Sequence, residues 1–147
     1  MSEAIFGLIG VLLGAIAAGV GDYLLGKRRE RVETKRAARL LLLELKEARE
    51  FIEDSLQKMR WVSNPEAVLS NEVWVEHRAA FAQINSSVVW ETVSDAFLQI
   101  GNLRRRNRGA KPGTRLEPGD ERTEDAVAVM PPLDIAISWL EDFTGAR

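Results

Sequence analysis

The single histidine, His77, is the side chain whose ordinary pKa best suits proton transfer near neutral pH. It lies between Glu76 and Arg78, and the chain contains no second histidine and no cysteine. A histidine-rich zinc or di-iron ligand set therefore cannot be assembled within one chain. We expect His77 to be partly buried and hydrogen-bonded, and we predict no metal site and no cofactor.

Paired carboxylates are the next candidate for chemistry. Four acidic residues lie close together on one predicted helix, but basic residues are interleaved with them, which is typical of a solvated helix face. No serine has a detectable base and orienting partner, and no phosphate-binding glycine loop occurs beyond the first 26 residues. We predict no catalytic residue and a non-enzymatic protein; an enzyme built on an unfamiliar arrangement is the remaining alternative. The four acidic residues are Glu47, Glu50, Glu53 and Asp54.

A basic block is the sharpest polar feature of the sequence. Six basic residues without an intervening acid occupy positions 104–115, and five acidic residues follow between 117 and 125. One interpretation is attraction to anionic lipid headgroups, worth about 1 kcal/mol per basic residue near the surface. The favoured alternative is a solvated loop whose two halves neutralise each other. With a second basic cluster after residue 26, the candidate lipid contacts are Lys27, Arg28, Arg29, Arg31, Arg104, Arg105, Arg106 and Arg108.

The segment 4–25 determines where the rest of the chain is placed if it is a membrane span, and it is apolar except for Asp22. A helix of 22 residues rises about 33 Å, which is enough to cross a bilayer. A cleaved signal peptide and a buried soluble helix are the alternatives. The acidic beginning Met-Ser-Glu and the length of the apolar stretch argue against a signal peptide.

Orientation follows from the charges that flank this segment. Residues 1–39 carry seven basic and four acidic side chains, and all seven basic ones follow the apolar segment. The positive-inside rule therefore predicts a single-pass protein of a bacterial inner membrane, with the N-terminus outside and the C-terminal domain cytoplasmic. The formal net charge of the whole chain is −2, so we predict no nucleic-acid partner.

Small residues recur along the apolar segment at alternating spacings of three and four, so they lie on one stripe of a helix. Such a stripe lets a second helix approach closely, and the alternative is that glycine is simply common in membrane helices. The pattern predicts a homo-oligomer, either a dimer or a larger ring. The predicted helix-helix interface consists of Gly7, Gly10, Gly14, Ala17 and Gly21.

Residues 27–63 lack glycine and proline and are rich in strong helix formers, so we predict a membrane-proximal amphipathic helix. Its apolar residues form a heptad-like series that additional leucines widen beyond a two-stranded stripe. A bundle helix packed on its own chain is therefore favoured over a free coiled coil. The apolar series is Ala38, Leu41, Leu45, Ala48, Ile52, Ser55, Met59 and Val62.

Residues 65–147 are predicted to complete an all-α bundle of about four helices, because no segment alternates with period two. Two helices are predicted around residues 71–84 and 88–105. Residues 104–122 are rich in glycine, proline and charge, so we predict a mobile loop that cannot bury itself. Pro131 and Pro132 are expected to stop any helix that begins near Thr123, leaving a short final helix from Leu133.

The series Trp74, His77, Arg78, Phe81 and Trp90, running into Val93, Ala96 and Phe97, resembles uncharacterised bacterial proteins with one N-terminal span and a small helical domain. The resemblance covers roughly residues 4–103 as a general pattern and implies topology alone. Two functions are then open. The first is a scaffold or adaptor with a cytoplasmic protein partner; the second is an effector whose assembled spans form a pore or disturb the bilayer.

Overall fold

The computed structural model describes residues 2–84 and 86–146, with the side chains of residue 20 and of all residues from 22 onward in those ranges. These residues form five helices and no named strand, so the all-α class is confirmed. The helices are α1 (Ser2–Gln57), α2 (Pro65–Val68), α3 (Glu72–Phe81), α4 (Ser87–Arg106) and α5 (Glu121–Thr144).

Two compact units divide the chain between Glu33 and Thr34. The second unit contains the hydrophobic core, to which α1 contributes from Ala37 onward together with α4 and α5. The predicted series on α1 is confirmed from Ala38 to Ser55, whose side chains are buried. The predicted face of α4 is likewise buried, with Trp90 packed partly against the core, and its members are Val89, Val93, Ala96, Phe97, Ile100 and Leu103.

Helix α1 ends at Gln57, six residues before the predicted end at residue 63. Met59 adopts a left-handed backbone conformation with φ of 49°, and the following chain turns inward. Trp61 is fully buried there and stacks on Phe51 with ring centroids 5.5 Å apart. A helix that continued to residue 63 would have kept Trp61 on its surface. Ending α1 at Gln57 instead allows the indole ring to be buried.

Of the predicted loop 104–122, residues 107–120 lie outside the helices, whereas residues 104–106 end α4 and residues 121–122 begin α5. The expectation that this segment buries nothing is wrong. Leu116 is 1% exposed, and the segment pairs with the chain that follows α1. The Trp61 backbone N–H donates to the Thr114 carbonyl at 2.9 Å, and the Leu116 N–H donates to the Met59 carbonyl at 2.9 Å. One apolar side chain and a short antiparallel pairing therefore hold this polar segment.

Helix α5 is continuous from Glu121 to Thr144 and contains Pro131 and Pro132, so the predicted stop at these prolines is wrong. A proline inside a helix removes one backbone hydrogen bond and costs about 3 kcal/mol or more. The carbonyls that lose their donors belong to Val127 and Ala128, both on the exposed side where water is available. The buried face continues across the prolines, which favours one helix over two; it includes Ala126, Val129, Leu133, Ala136, Ile137 and Leu140.

Within the described part of the chain, no helix carries an apolar stretch long enough to cross a membrane. The predicted span, residues 4–25, lies largely outside the residues whose side chains are described. The same holds for the predicted small-residue interface, namely Gly7, Gly10, Gly14, Ala17 and Gly21. The backbone of α1 nevertheless passes through all of these positions as helix.

Candidate arginine-lined groove

A groove of about 500 Å³ lies between α4 and the chain of α2 and α3 in the second unit. Three arginines from the end of α4 and just beyond it lie along this groove, while aromatic and aliphatic side chains supply its apolar surface. We call it the arginine groove. It is lined by Glu66, Asn71, Trp74, Ser94, Phe97, Leu98, Gly101, Arg104, Arg105 and Arg108.

The helix α4 brings the arginines together. Arg104 and Arg105 occupy its last turn, where the partial negative charge of the helix C-terminus favours cations. Asn107 closes the helix, because its buried side-chain amide donates to the Leu103 carbonyl at 3.0 Å. The chain then leaves the helix with Arg108 beside the other two arginines at the groove.

The three arginines differ in their partners. Arg105 donates to the Asn102 side chain, and Arg108 Nε lies 3.7 Å from Glu66 Oε1, which is too far for a hydrogen bond. Arg104 is half-buried and has no acidic group within 4.0 Å among the residues described in 2–84 and 86–146. Glu66 is the one acidic residue among those that line the groove, so the groove has an excess of positive charge.

An aromatic cluster forms the apolar side of the groove. Trp74 stacks on Phe97 with ring centroids 5.0 Å apart and an angle of 12° between the planes. It also contacts Trp90 at 5.1 Å and Phe81 at 6.4 Å, which fixes the orientation of its ring. Leu98 is 56% exposed at the groove, and Gly101 leaves open space where a Cβ would be. The groove therefore presents the exposed Leu98, packed beside buried aromatic rings, next to three arginines.

Arg106, which the sequence grouped with its neighbours, does not line the groove. Its guanidinium contacts Asp125 at 2.6 Å and Glu121 at 3.6 Å, both on α5. The hydrogen bond to Asp125 raises the pKa of Arg106 above its ordinary value. Arg106 thus links α4 to α5. Its ion pairs with Asp125 and Glu121 are where the acidic block partly neutralises the basic block.

The other basic candidates lie in the first unit. Lys27, Arg28, Arg29 and Arg31 are all exposed on α1. The Lys27 ammonium lies 5.6 Å from the centroid of the Tyr23 ring, a cation–π distance. Four exposed apolar side chains precede Lys27, each more than half exposed: Val20, Tyr23, Leu24 and Leu25.

The acidic residues of α1 line a second, shallow concavity around Phe51. Glu53 pairs with Arg49 at 2.6 Å and Asp54 pairs with Lys58 at 2.7 Å, both across one helical turn. Glu47 and Glu50 are exposed. The predicted solvated face is confirmed, and such exposed pairs contribute about 0.3–0.5 kcal/mol each to stability.

His77 is partly buried, with 27% of its side chain exposed, and its nearest carboxylate oxygen is that of Glu76 at 3.9 Å. That distance is an ion-pair contact only if the imidazole is protonated. In the described part of the chain, no three histidine, aspartate or glutamate side chains come together as a metal site.

Glu44 is the partly buried carboxyl group that sequence reasoning missed. It lies on α1 among core leucines, and its carboxyl accepts backbone hydrogen bonds from Trp74 and Val73 in the first turn of α3. Asn71 precedes that helix but makes no side-chain capping bond, so Glu44 caps α3 from another helix. Desolvation outweighs these bonds and raises the pKa of Glu44 to about 7. The sequence did offer one indication of this burial, since Glu44 lies between Leu41 and Leu45 of the core-facing series.

Comparison of the chain with protein-family models, curated protein sequences and solved structures finds no match to any of them. The resemblance to single-span bacterial proteins therefore stays a prediction. Function must be argued from the residues of this chain alone.

Proposed function

We propose that this chain is a membrane-anchored, self-associating adaptor in which an N-terminal span holds a helical domain that binds a cytoplasmic protein. Four exposed apolar side chains shortly before Lys27 carry the proposal, namely Val20, Tyr23, Leu24 and Leu25. Neighbouring apolar side chains that are more than half exposed to water mark a contact surface for lipid or protein. Their position at the end of the apolar segment 4–25, followed by a basic cluster, favours a bilayer.

The second unit supports the adaptor half of the proposal. It has its own hydrophobic core, and the arginine groove offers a concave surface with an exposed leucine, Leu98, and excess positive charge. Grooves between helices are common sites of protein recognition. A partner bound there would be held at the inner face of the membrane by the span.

Anchoring is tested by alkaline carbonate extraction of membranes that contain the full chain. We expect the wild-type chain to stay in the membrane pellet. The double substitution Leu12→Arg and Leu13→Arg should release it, because each arginine at the centre of a span costs about 3 kcal/mol. The matched control, Val75→Arg with Val127→Arg, changes exposed residues of the second unit and should stay in the pellet. Release of the wild-type chain would contradict the span.

Sidedness is tested with single cysteines, because the natural chain has none. A membrane-impermeant maleimide should label Ser2→Cys on intact cells and Ala146→Cys only after the membrane is opened. The reverse pattern would contradict the proposed orientation.

Self-association is tested by crosslinking the full chain in membranes. Gly14→Ile places a branched side chain on the predicted stripe, whereas Gly19→Ile places the same side chain off it. We expect the first substitution to abolish the crosslinked species and the second to retain it. Equal crosslinking of both variants would contradict the interface.

The small-residue series also favours the alternative, a pore-forming or membrane-disrupting effector, because a ring of spans would use the same packing. Reconstitution of the full chain into dye-loaded vesicles separates the two functions. An adaptor leaves the dye inside at every protein density. Leakage that rises with density and disappears in Gly14→Ile would favour the effector.

A further inference from the structure

We infer that the arginine groove binds a short acidic segment of a partner protein, one in which a carboxylate side chain neighbours an aromatic or aliphatic one. The inference rests on the adaptor function proposed above and names the chemistry of the partner. It is argued from the charge, the apolar surface and the size of the groove.

Charge selects an anion. Arg104 has no acidic partner among the residues that the structure describes, and Arg108 is 81% exposed with only a 3.7 Å contact to Glu66. The planar guanidinium group matches a carboxylate in a paired arrangement of two hydrogen bonds. The chain as a whole has a formal net charge of −2, so the positive charge of the groove does not follow from the overall composition.

The apolar surface selects a ligand that is more than an anion. The stacked rings of Trp74 and Phe97 and the exposed Leu98 lie within the same groove as the arginines. Trp74 and Phe97 are already buried, so the apolar side chain open to a ligand is Leu98. An inorganic ion would leave Leu98 in contact with water, whereas an apolar side chain beside the carboxylate would cover it. Arginine is among the residues that most often supply the binding energy of protein interfaces.

The size and polar groups of the groove suit a peptide. A volume of about 500 Å³ lies within the range of small-molecule sites, so the open groove can accept a few side chains of a segment that extends beyond it. Asn71 supplies an amide and Ser94 a hydroxyl at the groove, and both can bond to the backbone of an extended segment. The Asn71 side chain is available because it does not cap α3.

A membrane surface or a nucleic acid fits the same arginines less well, because either would approach the surrounding surface as well. Glu121 and Glu124 are exposed on α5, and Arg106 beside them is already paired with Asp125. A broad anionic surface would meet these carboxylates and be repelled. A short segment contacts the groove alone and avoids them.

The test uses the full chain in non-ionic detergent and a phage-displayed library of random heptapeptides as the probe. We expect the selected peptides to combine aspartate or glutamate with an aromatic or aliphatic residue. Binding of a synthetic selected peptide should fall about tenfold in Arg104→Gln, and also in Leu98→Gln, which changes an exposed side chain of the groove. Arg122→Gln, an exposed arginine outside the groove, is the matched control and should bind as the wild-type chain does.

Equal binding to the wild-type chain and to Arg104→Gln would overturn the inference, as would selected peptides without acidic residues. Selection of no peptide would overturn it too. Vesicles of phosphatidylserine and phosphatidylcholine provide the lipid arm, and binding to them that depends on Arg104 without any peptide binding would assign the groove to lipid. Because the peptide measurement is made in detergent, its failure is separate from failure of the carbonate test of anchoring.

Discussion

Two opposing influences act on the carboxyl group of Glu44. Backbone N–H groups of Val73 and Trp74 favour its ionised form, while removal from water favours the neutral form and is the larger effect. Nearby Glu47 and Glu72 add a smaller repulsion in the same direction as desolvation. One oxygen, Oε2, is buried without a hydrogen-bond partner among the described residues, which is consistent with a group that is costly to ionise.

This environment predicts a pH-dependent stability. The pKa of Glu44 is about 7 in the folded chain and 4.5 in the ordinary state, so the folded chain keeps a proton that the unfolded chain releases between these values. The free energy of unfolding contributed by Glu44 is therefore greatest below about pH 4.5, falls as the pH rises to 7, and is constant above that. We expect a fall of about 1–3 kcal/mol.

The measurement is urea unfolding of the wild-type chain and of Glu44→Gln from pH 4 to pH 8. The amide can still accept from the first turn of α3 but cannot ionise, so the stability difference between the two chains should change by that amount across the interval. Glu91→Gln, which removes an exposed carboxylate of α4, is the control. A difference between the wild-type chain and Glu44→Gln that does not vary with pH would contradict the assignment.

At the scale of elements, the loop 107–120 joins the core chiefly through Leu116, and Ala110 also packs against the core. Leu116 is almost fully buried, and its backbone N–H is held by the carbonyl of Met59. We predict that Leu116→Ala lowers the free energy of unfolding by about 2–4 kcal/mol, through lost burial and the cavity left behind. Lys111→Ala, an exposed change in the same loop, should change it by less than about 0.5 kcal/mol. Equal effects in urea unfolding would show that the loop does not contribute to the core.

The prolines of α5 allow a second prediction for an element. Pro131 is exposed, so replacing it with alanine restores a backbone donor to the helix without removing core contacts. We expect Pro131→Ala to raise the free energy of unfolding by about 1–2 kcal/mol, after allowance for the greater freedom of the unfolded chain. Val127→Ala, an exposed change one turn earlier, serves as the control. A loss of stability in Pro131→Ala would mean that the ring makes a necessary contact.

Contacts between elements explain why the second unit holds one arrangement of its helices. Ion pairs join α1 to α5, with Lys46 to Glu141 and Arg49 to Asp134 both at 2.6 Å. These groups are partly exposed, so each pair adds little to stability. The core of α1, α4 and α5 supplies the larger contribution through buried apolar area.

At the scale of the whole molecule, the boundary between Glu33 and Thr34 predicts an independently folding part. A chain of residues 34–147 should be monomeric without detergent, helical by circular dichroism, and cooperative in thermal unfolding, because its buried residues lie within that range. Analytical ultracentrifugation gives its mass. Aggregation, or unfolding without cooperativity, would show that the core is completed by the first 33 residues or by another copy of the chain.

The same boundary separates two kinds of apolar surface. In the second unit, apolar residues that recur every three to four positions are buried, as on α4. In the described part of the first unit, the apolar side chains of Val20, Tyr23, Leu24 and Leu25 are each more than half exposed. Lipid around a membrane span, or a second copy of the helix, would cover these exposed side chains. Anchoring and assembly are therefore proposed as one function.

The sequence by itself determined the helical class and the buried faces of α1 and α4, because a period of 3.6 residues is a local property that Ala38, Leu45, Val93 and Ile100 display without reference to other segments. The sequence predicted less well where the helices begin and end. Local propensity placed a stop at Pro131, but a buried face shared by both halves of α5 outweighed the lost hydrogen bonds.

Only the tertiary structure decided which polar residues meet. The sequence grouped Arg104, Arg105, Arg106 and Arg108 as one basic block. In the structure, Arg106 lies on the side of α4 that faces α5 and pairs with Asp125, whereas the other three arginines line the arginine groove. The tertiary structure likewise brings Glu44 to the first turn of α3, about thirty residues away in the chain. Contacts between distant segments depend on how whole helices pack, and no local pattern encodes that packing.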